Sequence, residues 1–178
     1  ALDVADVDAF TPRLARSWRW ADDSLSIAFS LDPQVRWHDG APLVADDVVH
    51  TFRLYTNPIV KNGSAALLGN IDSVTAADSS TVVFWFTQRA PQQLYDAVHH
   101  LHIMPSHLLA DADPATLGAT ALARTPVGTG QFRFVRWSSD GRIELVADTA
   151  NARGRPFLDR VIYEPVPDAS SAMVKLLT

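Results

Sequence analysis

Cysteine is absent from this sequence of 178 residues, so disulfide bonds and thiol chemistry are excluded. The absence also fits an oxidising compartment. Long apolar runs are missing too, since none approaches the roughly 20 residues that a membrane-spanning helix needs. Basic residues are outnumbered, with 15 lysines and arginines against 20 aspartates and glutamates. The net charge of −5 argues against a nucleic-acid-binding protein, which should present a basic face.

The composition is that of a folded globular protein. Apolar residues make up 47% of the chain and charged residues 20%, close to globular averages and unlike a disordered segment. A chain of this size buries a real core, removing about 70% of its extended-chain surface from water. The first six residues are acidic and lack the basic start of a signal peptide. We therefore expect that the signal segment of an exported protein is absent from this sequence and lies upstream of Ala1.

Hydrophobic periodicity predicts strands that pair as hairpins. Between Ser24 and Leu31 apolar residues alternate with small ones, as in a half-buried strand, and Arg13–Trp20 precedes it across a short turn. Both faces of Thr81–Thr87 are apolar, so we expect this strand to be covered on both sides. The other predicted strands are Val35–His38, ended by a turn at Asp39-Gly40, Ile71–Ala76, Gly130–Trp137, Arg142–Asp148 and Leu158–Glu164.

The period changes to that of a helix over Ala45–Tyr55. Asp46 and Asp47 lie in its first turn, where carboxylates interact favourably with the helix dipole. The other predicted helices are Pro91–His99, Ser106–Ala110, Pro114–Leu122 and Ser170–Leu177. The expected core side chains are Leu25, Ile27, Phe29, Phe52, Val82, Phe84 and Phe86. Hairpins alternating with helices indicate a mixed α/β fold with α+β character, not a helical bundle.

Four collinear parts of the chain resemble one protein family. They are WHDGAPLVADDVV at 37–49, PRLARSW at 12–18 with Asp22-Asp23 after it, PVGTGQF at 126–132, and RPFLDRV at 155–161 with PDA at 167–169. The chain resembles the extracytoplasmic solute-binding proteins of peptide and nickel ABC importers, of the dipeptide- and oligopeptide-binding type. It departs from that family at Val44, where a Thr or Ser usually caps the helix. Losing such a cap costs about 1 kcal/mol, so we expect a weaker helix start.

The resemblance implies a fold and a function. The fold would be a lobe fragment of a type II periplasmic binding protein, with mixed sheets and flanking helices. Residues 1–102 would form the small extra subdomain of the first lobe and residues 103–178 part of its main α/β domain, with the second lobe absent. The protein would capture peptide-like solutes outside the cytoplasmic membrane for import through an ABC permease. It would be periplasmic or extracellular, and attached to the membrane if lipidated.

Candidate ligand contacts are assigned by their position within or between the matched segments. They are Asn62 in the loop 61–64, His99, His100, Gly128 and Thr129. No cofactor and no nucleic-acid partner is expected. Specificity would lie mainly in the missing lobe, so the solute could be a peptide, a nickel chelate, a sugar or another molecule. Because such a fragment would expose apolar surface, self-association is also expected.

The histidines raise the alternative of a metal site. Histidines 99, 100, 102 and 107 crowd nine positions, and an extended segment would bring His100 and His102 to one face. First-row metals normally need three or four converging ligands, however, and neither cysteine nor an H-E-x-x-H motif accompanies these histidines. The simpler interpretation places His99 and His100 at a helix end, where imidazolium suits the dipole. We therefore expect no bound metal.

Enzyme chemistry is not expected. Adjacent aspartates such as Asp46 and Asp47 point about 100° apart on a helix, too divergent to act on one bond. Gly128-Thr129-Gly130 lacks the Lys-Ser/Thr and the helix that follow a phosphate-binding loop. The alternative function is a sensory ligand-binding module that shares the fold but is not coupled to transport.

Overall fold

Two antiparallel sheets, one of four strands and one of three, organise the chain. The computed structural model describes residues 10–168 and 172–173. Its elements are β1 (Ala15–Trp20), β2 (Ser26–Leu31), α1 (Ala45–Thr56), β3 (Ile71–Asp78), β4 (Thr81–Phe86), α2 (Gln93–His99), α3 (Ser106–Leu109), β5 (Phe132–Trp137), β6 (Ile143–Ala147) and β7 (Arg160–Tyr163). Short 3₁₀ segments lie at Ala65–Leu68, Pro114–Ala119 and Ala121–Ala123. The predicted mixed α/β fold is confirmed.

The first sheet, in the order β1-β2-β4-β3, carries the core on one face. β1 and β2 form the predicted hairpin, and so do β3 and β4. Strand alternation turns the apolar side chains of β2 and β4 to the same side, and helix α1 packs against β3 and β4. The expected core is confirmed, because Leu25 is partly buried and the other six side chains are buried: Ile27, Phe29, Phe52, Val82, Phe84 and Phe86.

Helix α1 begins after Val44, whose side chain offers no acceptor for the first helical N–H groups. The carboxylate of Asp47, in the first turn of the helix, instead bonds back to the residue before the helix: its Oδ2 accepts the backbone N–H of Val44 at 3.0 Å. This is one half of a capping box, built with an aspartate at the third helical position. The sequence indicated only a dipole interaction for Asp47, so the capping bond is a finding of the structure.

The second sheet, in the order β5-β6-β7, is less covered than the first. Trp137 lies opposite Ile143, and Ile143 opposite Tyr163, so these three side chains share a face. Trp137 is 48% exposed and Tyr163 is 60% exposed. The other face is charged, since Glu144 forms an ion pair with one arginine from each neighbouring strand. This sheet therefore presents an apolar surface to solvent in the described part of the chain.

The predicted strand Val35–His38 is not formed. The backbone N–H of Trp37 donates to the carbonyl of Ala41 at 2.8 Å, so the segment folds back on itself and pairs through one isolated bridge. The predicted turn at Asp39-Gly40 is confirmed, and Gly40 has a φ of +92°, a conformation that favours glycine. The tight turn therefore uses the backbone groups that a strand would have offered to a sheet.

The prediction that β4 is covered on both sides is wrong. Trp85 is 44% exposed, and its indole N–H donates to the Oγ1 of Thr75 on β3. The residues paired with Trp85 on the two neighbouring strands are Ser26 and Ser73. Serine side chains provide no apolar surface on which a second layer could pack, so Trp85 stays exposed on this face.

The segments after α3 differ from the predicted helices. Pro114–Leu122 is not one α-helix but belongs to two 3₁₀ segments, because Thr116 has a φ of −120° and interrupts the helical backbone. Of the predicted helix Ser170–Leu177, only Ala172 and Met173 are described, and both are helical. The rest of that prediction lies outside the described residues.

Candidate functional site

The carboxylate of Asp47 joins the turn before α1 to the start of α3. Asp47 is only 1% exposed. Its Oδ2 accepts the indole N–H of Trp37 at 3.0 Å as well as the N–H of Val44. Its Oδ1 accepts the backbone N–H of Ser106 at 2.8 Å and the Ser106 hydroxyl at 2.6 Å. Four donors thus occupy the acceptor sites of one buried carboxylate, which makes its burial tolerable.

Thr51 extends this junction by one turn of α1. Its buried hydroxyl donates to the carbonyl of Asp47 at 2.7 Å and accepts the backbone N–H of Met104 at 2.8 Å. The segment 104–106 is therefore hydrogen-bonded to α1 through two side chains, those of Asp47 and Thr51. This is where the first sheet's layer meets the second half of the chain.

His38 joins the same turn to the loop at residues 128–130. Its backbone N–H donates to the carbonyl of Gly128 at 2.8 Å, and its ring Nδ1 accepts the N–H of Gly128 at 3.2 Å. Its Nε2 lies 2.8 Å from the carbonyl oxygen of Gly130, which can only accept. The network therefore assigns a neutral ring with its proton on Nε2, because Nδ1 must keep a lone pair for Gly128.

Asn151 holds the other side of this loop. Its side-chain Nδ2 donates to the carbonyl of Thr129 at 3.1 Å and to that of Gly130 at 2.9 Å. Together with the bond from His38 to Gly128, this engages the carbonyl oxygens of all three loop residues. The loop that the sequence predicted as a ligand contact is thus fixed from both of its flanks.

Asp39 forms a third link from the turn, to α3. Its Oδ2 lies 2.7 Å from the Nε2 of His107, and the Ala41 N–H donates to its Oδ1 at 3.1 Å. Partial burial raises the pKa of the Asp39 carboxyl, but the hydrogen bonds from His107 and Ala41 outweigh it and hold the pKa below its ordinary value. His38, Asp39 and Asp47 therefore each join the 37–49 segment to another part of the protein.

Asn62 has a local role in the structure. Its Oδ1 accepts the backbone N–H of Ser64 at 2.8 Å, which closes an Asx turn just before the 3₁₀ segment Ala65–Leu68. A ligand contact by Asn62 stays a prediction.

His99 and His100 lie at the end of α2, as predicted, in an aromatic cluster with Tyr95. The Tyr95 ring stacks on His99 with centroids 4.4 Å apart and meets His100 edge-on at 5.4 Å. The Oδ1 of Asp96 lies 3.9 Å from the Nε2 of His100. Burial raises the pKa of Asp96, and the charge of His100 opposes part of that rise. The partly exposed rings of such a cluster can stack against a solute.

The five predicted contact residues fall in three places: the turn of Asn62, the Tyr95 cluster, and the loop with Gly128 and Thr129. His107 is not with His99 and His100 but pairs with Asp39. Within residues 10–168 and 172–173, no group of three or more His, Cys, Asp or Glu side chains is placed to hold a metal ion. None of the helices in this described region combines the length and hydropathy needed to cross a bilayer.

An open cleft of about 430 Å³ lies beside the loop. Thr129 and Gly130 form part of its wall, and Arg13, Arg36 and Arg153 line it. Sequence reasoning missed these arginines, because they come from three distant parts of the chain and no motif groups them. It also missed the tasks of Asn151 and His107. The sequence signal nearest to these contacts was the WHDGAPLVADDVV segment, which contains Asp39, the partner of His107. Its aspartates were interpreted as part of a turn and of a helix start.

Comparison with known proteins identifies the family. Residues 9–178 match the family described as bacterial extracellular solute-binding proteins, family 5 Middle. The chain belongs to this family. Family 5 is a family of solute-binding proteins rather than of enzymes. In this chain the WHDGAPLVADDVV segment has a structural role, because its side chains form hydrogen bonds to α3 and to the loop 128–130.

The family 5 relatives include named peptide-binding proteins. A Brucella ovis protein named as an ABC transporter peptide-binding protein is 34% identical over 164 residues, covering 92% of this chain and 31% of the relative. The oligopeptide-binding protein AppA of Bacillus subtilis is 30% identical over 164 residues, covering 92% of this chain and 30% of AppA. This chain therefore spans about a third of the length of the curated relatives it matches.

Solved structures agree with the predicted fold. AppA from Bacillus subtilis in complex with a nonapeptide has a TM-score of 0.85 and 30% identity, covering 92% of this chain and 33% of that chain. NikZ from Campylobacter jejuni in complex with Ni(L-His) has a TM-score of 0.82 and 29% identity, and the match covers 93% of this chain and 33% of NikZ. The structural neighbours are type II periplasmic binding proteins, so the predicted fold class is confirmed.

Proposed function

We propose that this protein is the substrate-binding component of an ABC importer and captures a peptide-like solute outside the cytoplasmic membrane. The observation that carries the proposal is the match of 92% of the chain to the peptide-binding AppA fold at a TM-score of 0.85. The bound solute passes to a permease in the membrane. The protein acts in the periplasm or on the outer face of the membrane, attached to it if lipidated.

Import is favoured over a sensory role because the named relatives are transport and peptide-binding proteins. The chemistry of the described residues also suits a binder better than a catalyst. The polar side-chain atoms of Asp47 and His38 are all engaged in hydrogen bonds within the protein. A catalytic acid or base needs an atom that can reach the substrate.

The proposal includes two subdomains, with residues 1–102 as the small extra subdomain and residues 103–178 as part of the main α/β domain of the first lobe. The continuous core supports a boundary near residue 102, because its fully buried members end at Leu101. Among the described residues after Leu101, Ile103 and Val127 pack against it and are only partly buried. The second sheet has its strand partners entirely within 132–163. The bonds from Asp47 to Ser106 and from His38 to Gly128 then fasten one subdomain to the other.

The loop with Gly128 and Thr129 is the strongest candidate ligand contact. Its three carbonyl oxygens already accept hydrogen bonds, and the Gly128 N–H donates to His38. A solute would therefore meet the loop through the backbone N–H groups of Thr129 and Gly130 or the Thr129 hydroxyl. Such donors suit the carbonyl groups of a peptide main chain. His99 and His100 would add a stacking surface, and Asn62 is retained as a more distant contact.

Solute identification on the protein isolated from outside the cytoplasm tests this function. Mass spectrometry of co-purified molecules should recover short peptides, and calorimetry with a dipeptide, a tripeptide and a nonapeptide should measure their affinities. Thr129→Val should weaken peptide binding about tenfold if its hydroxyl donates to the ligand. Thr149→Val, an exposed threonine after β6, is the matched control and should leave affinity unchanged.

Two results would separate the parts of the proposal. Recovery of a metal chelate or a sugar would reject the peptide class but keep solute capture. If no small molecule co-purifies or binds, and deletion of the gene leaves uptake of peptides unchanged, the import function itself is rejected.

A further inference from the structure

Three arginines from distant parts of the chain line the cleft of about 430 Å³ beside the loop 128–130. Arg13 precedes β1, Arg36 precedes the turn at Gly40, and Arg153 follows β6. The other described residues that line the cleft are Leu14, Val35, Thr129, Gly130, Asn151 and Ala152, none of them acidic. In a protein with a net charge of −5, this is a local concentration of positive charge in a concave surface.

These guanidinium groups keep donors that the fold does not use. Arg36 uses one N–H for the carbonyl of Gly40 at 3.3 Å. The side chains of Arg13 and Arg153 form no ion pair and no hydrogen bond with the rest of the described region. Four other arginines, in the second sheet and its flanks, do pair with carboxylates: Arg136, Arg142, Arg155 and Arg160. Within residues 10–168 and 172–173, the cleft therefore gathers three arginines that form no ion pair.

Electrostatic repulsion between Arg13 and Arg153 is unfavourable in free energy, and a bound anion would offset it. Burial lowers the pKa of Arg153, and the charge of Arg13 lowers it further. Guanidinium groups nevertheless stay protonated in proteins, so loss of a proton does not relieve the repulsion. A bound negative charge does.

We propose that Arg13, Arg36 and Arg153 form a binding site for a small oxyanion, a carboxylate- or phosphate-bearing molecule. The planar fork of a guanidinium donates two parallel N–H bonds to the oxygens of either group. The volume of the cleft lies within the range of about 300–1,000 Å³ that is usual for small-molecule sites. Asn151 contributes by holding the wall, because its amide is bonded to Thr129 and Gly130. Thr129 borders both this site and the proposed solute contact, but the oxyanion site is inferred from the arginines and does not rest on the proposed peptide import.

Nuclear magnetic resonance of the arginine Nε–H groups tests the site. Inorganic phosphate and succinate are titrated separately, each against sodium chloride at equal ionic strength. The signals of Arg13 and Arg153 should shift saturably with phosphate, succinate or both. Arg153→Gln and, independently, Arg13→Gln should each weaken binding about tenfold through the loss of charge-assisted bonds. Arg133→Gln is the control, because it removes the same charge from an exposed position on β5 and should change affinity less than twofold.

The probes also distinguish the source of the oxyanion. Tighter binding of phosphate supports a phosphate-bearing ligand, and tighter binding of succinate supports a carboxylate-bearing one. Shifts that sodium chloride reproduces would overturn the proposal, as would an equal loss of affinity in Arg133→Gln. The backbone amide spectrum of each variant is compared with that of the wild type. An unchanged spectrum shows that the variant is folded, so that a loss of binding is not caused by misfolding.

Discussion

The indole N–H of Trp37 donates to the carboxylate of Asp47 at 3.0 Å, and both residues are buried, at 3% and 1% exposure. Asp47 comes ten positions after Trp37, and the segment between them contains one tight turn and the start of α1. The bond closes the turn onto the helix, and the second carboxylate oxygen then reaches Ser106 on α3. One side chain thus sets the positions of three segments.

Replacement of Asp47 with alanine should destabilise the protein severely. The change leaves the N–H groups of Trp37, Val44 and Ser106 buried or part-buried without their acceptor. Each unsatisfied buried donor costs about 1–3 kcal/mol, so the free energy of unfolding should fall by at least about 3 kcal/mol. Urea denaturation followed by tryptophan fluorescence measures it.

The neighbouring Asp46→Ala is the matched control for this prediction. Asp46 is exposed in the same helical turn, so only its dipole interaction is lost, and the cost should stay below about 1 kcal/mol. Asp47→Asn should fall between the two, because the amide retains one acceptor oxygen. Equal destabilisation by Asp46→Ala and Asp47→Ala would contradict the role assigned to Asp47.

The sequence predicted the elements well where one local pattern decides them. Strand alternation identified β2, and the apolar stripe of Val48, Val49 and Phe52 identified α1, whose bounds agree to one residue. The family resemblance extended this to the fold class. Predictions failed where a distant partner decides the outcome, as for Trp85, whose exposure depends on which side chains the adjacent strands present.

The candidate site was predictable only in part. Gly128 and Thr129 were found because they lie within a matched segment, but the partners that fix their loop are 90 and 22 residues away. No period or spacing in a single sequence reports such contacts. The cleft arginines are a stronger example, since Arg13 precedes β1 and Arg153 follows β6, yet both line the same cleft.

The tautomer of His38 is a second prediction. Long-range proton–nitrogen spectra should show the proton on Nε2 and an unprotonated Nδ1, because Nδ1 accepts from Gly128 while Nε2 donates to Gly130. His38→Ala should speed hydrogen exchange at the Gly128 amide and lower stability by about 1–3 kcal/mol, the sum of two lost bonds. A proton found on Nδ1 would refute the assignment.

His102→Ala controls for the loss of an imidazole. His102 is exposed beyond the end of α2, so its removal should change stability by no more than about 0.5 kcal/mol. Exchange at the Gly128 amide should not respond to it. Faster exchange there in both variants would point to general loosening rather than to the His38 bond.

The Asp39–His107 pair predicts a specific dependence on pH. The pKa of Asp39 is lower in the folded state, so its ionised form is favoured there. Its stabilising contribution is therefore complete above the unfolded-state pKa of about 3.9 and is lost as pH falls through the folded-state pKa. His107→Gln should raise the pKa of Asp39, measured by carboxyl resonance titration.

Asp78 provides an internal control in the same spectra. Backbone and side-chain hydrogen bonds from Ser80 lower the pKa of Asp78, and His107 takes no part. The pKa of Asp78 should therefore be the same in the wild type and in His107→Gln. An unchanged pKa for Asp39 in the variant would show that Ala41, not His107, holds it down.

Self-association through the second sheet is the last prediction. Trp137, Ile143 and Tyr163 share one face, and the two aromatic side chains are about half exposed. Exposed contiguous apolar surface tends to find a partner, and a second copy offers the same surface. Sedimentation velocity over a concentration series should show reversible association that Trp137→Ser weakens. Trp85→Ser is the matched control, because Trp85 is 44% exposed but is flanked by Ser26 and Ser73. A monomer at every concentration, or an equal effect of both substitutions, would show that this face does not mediate association.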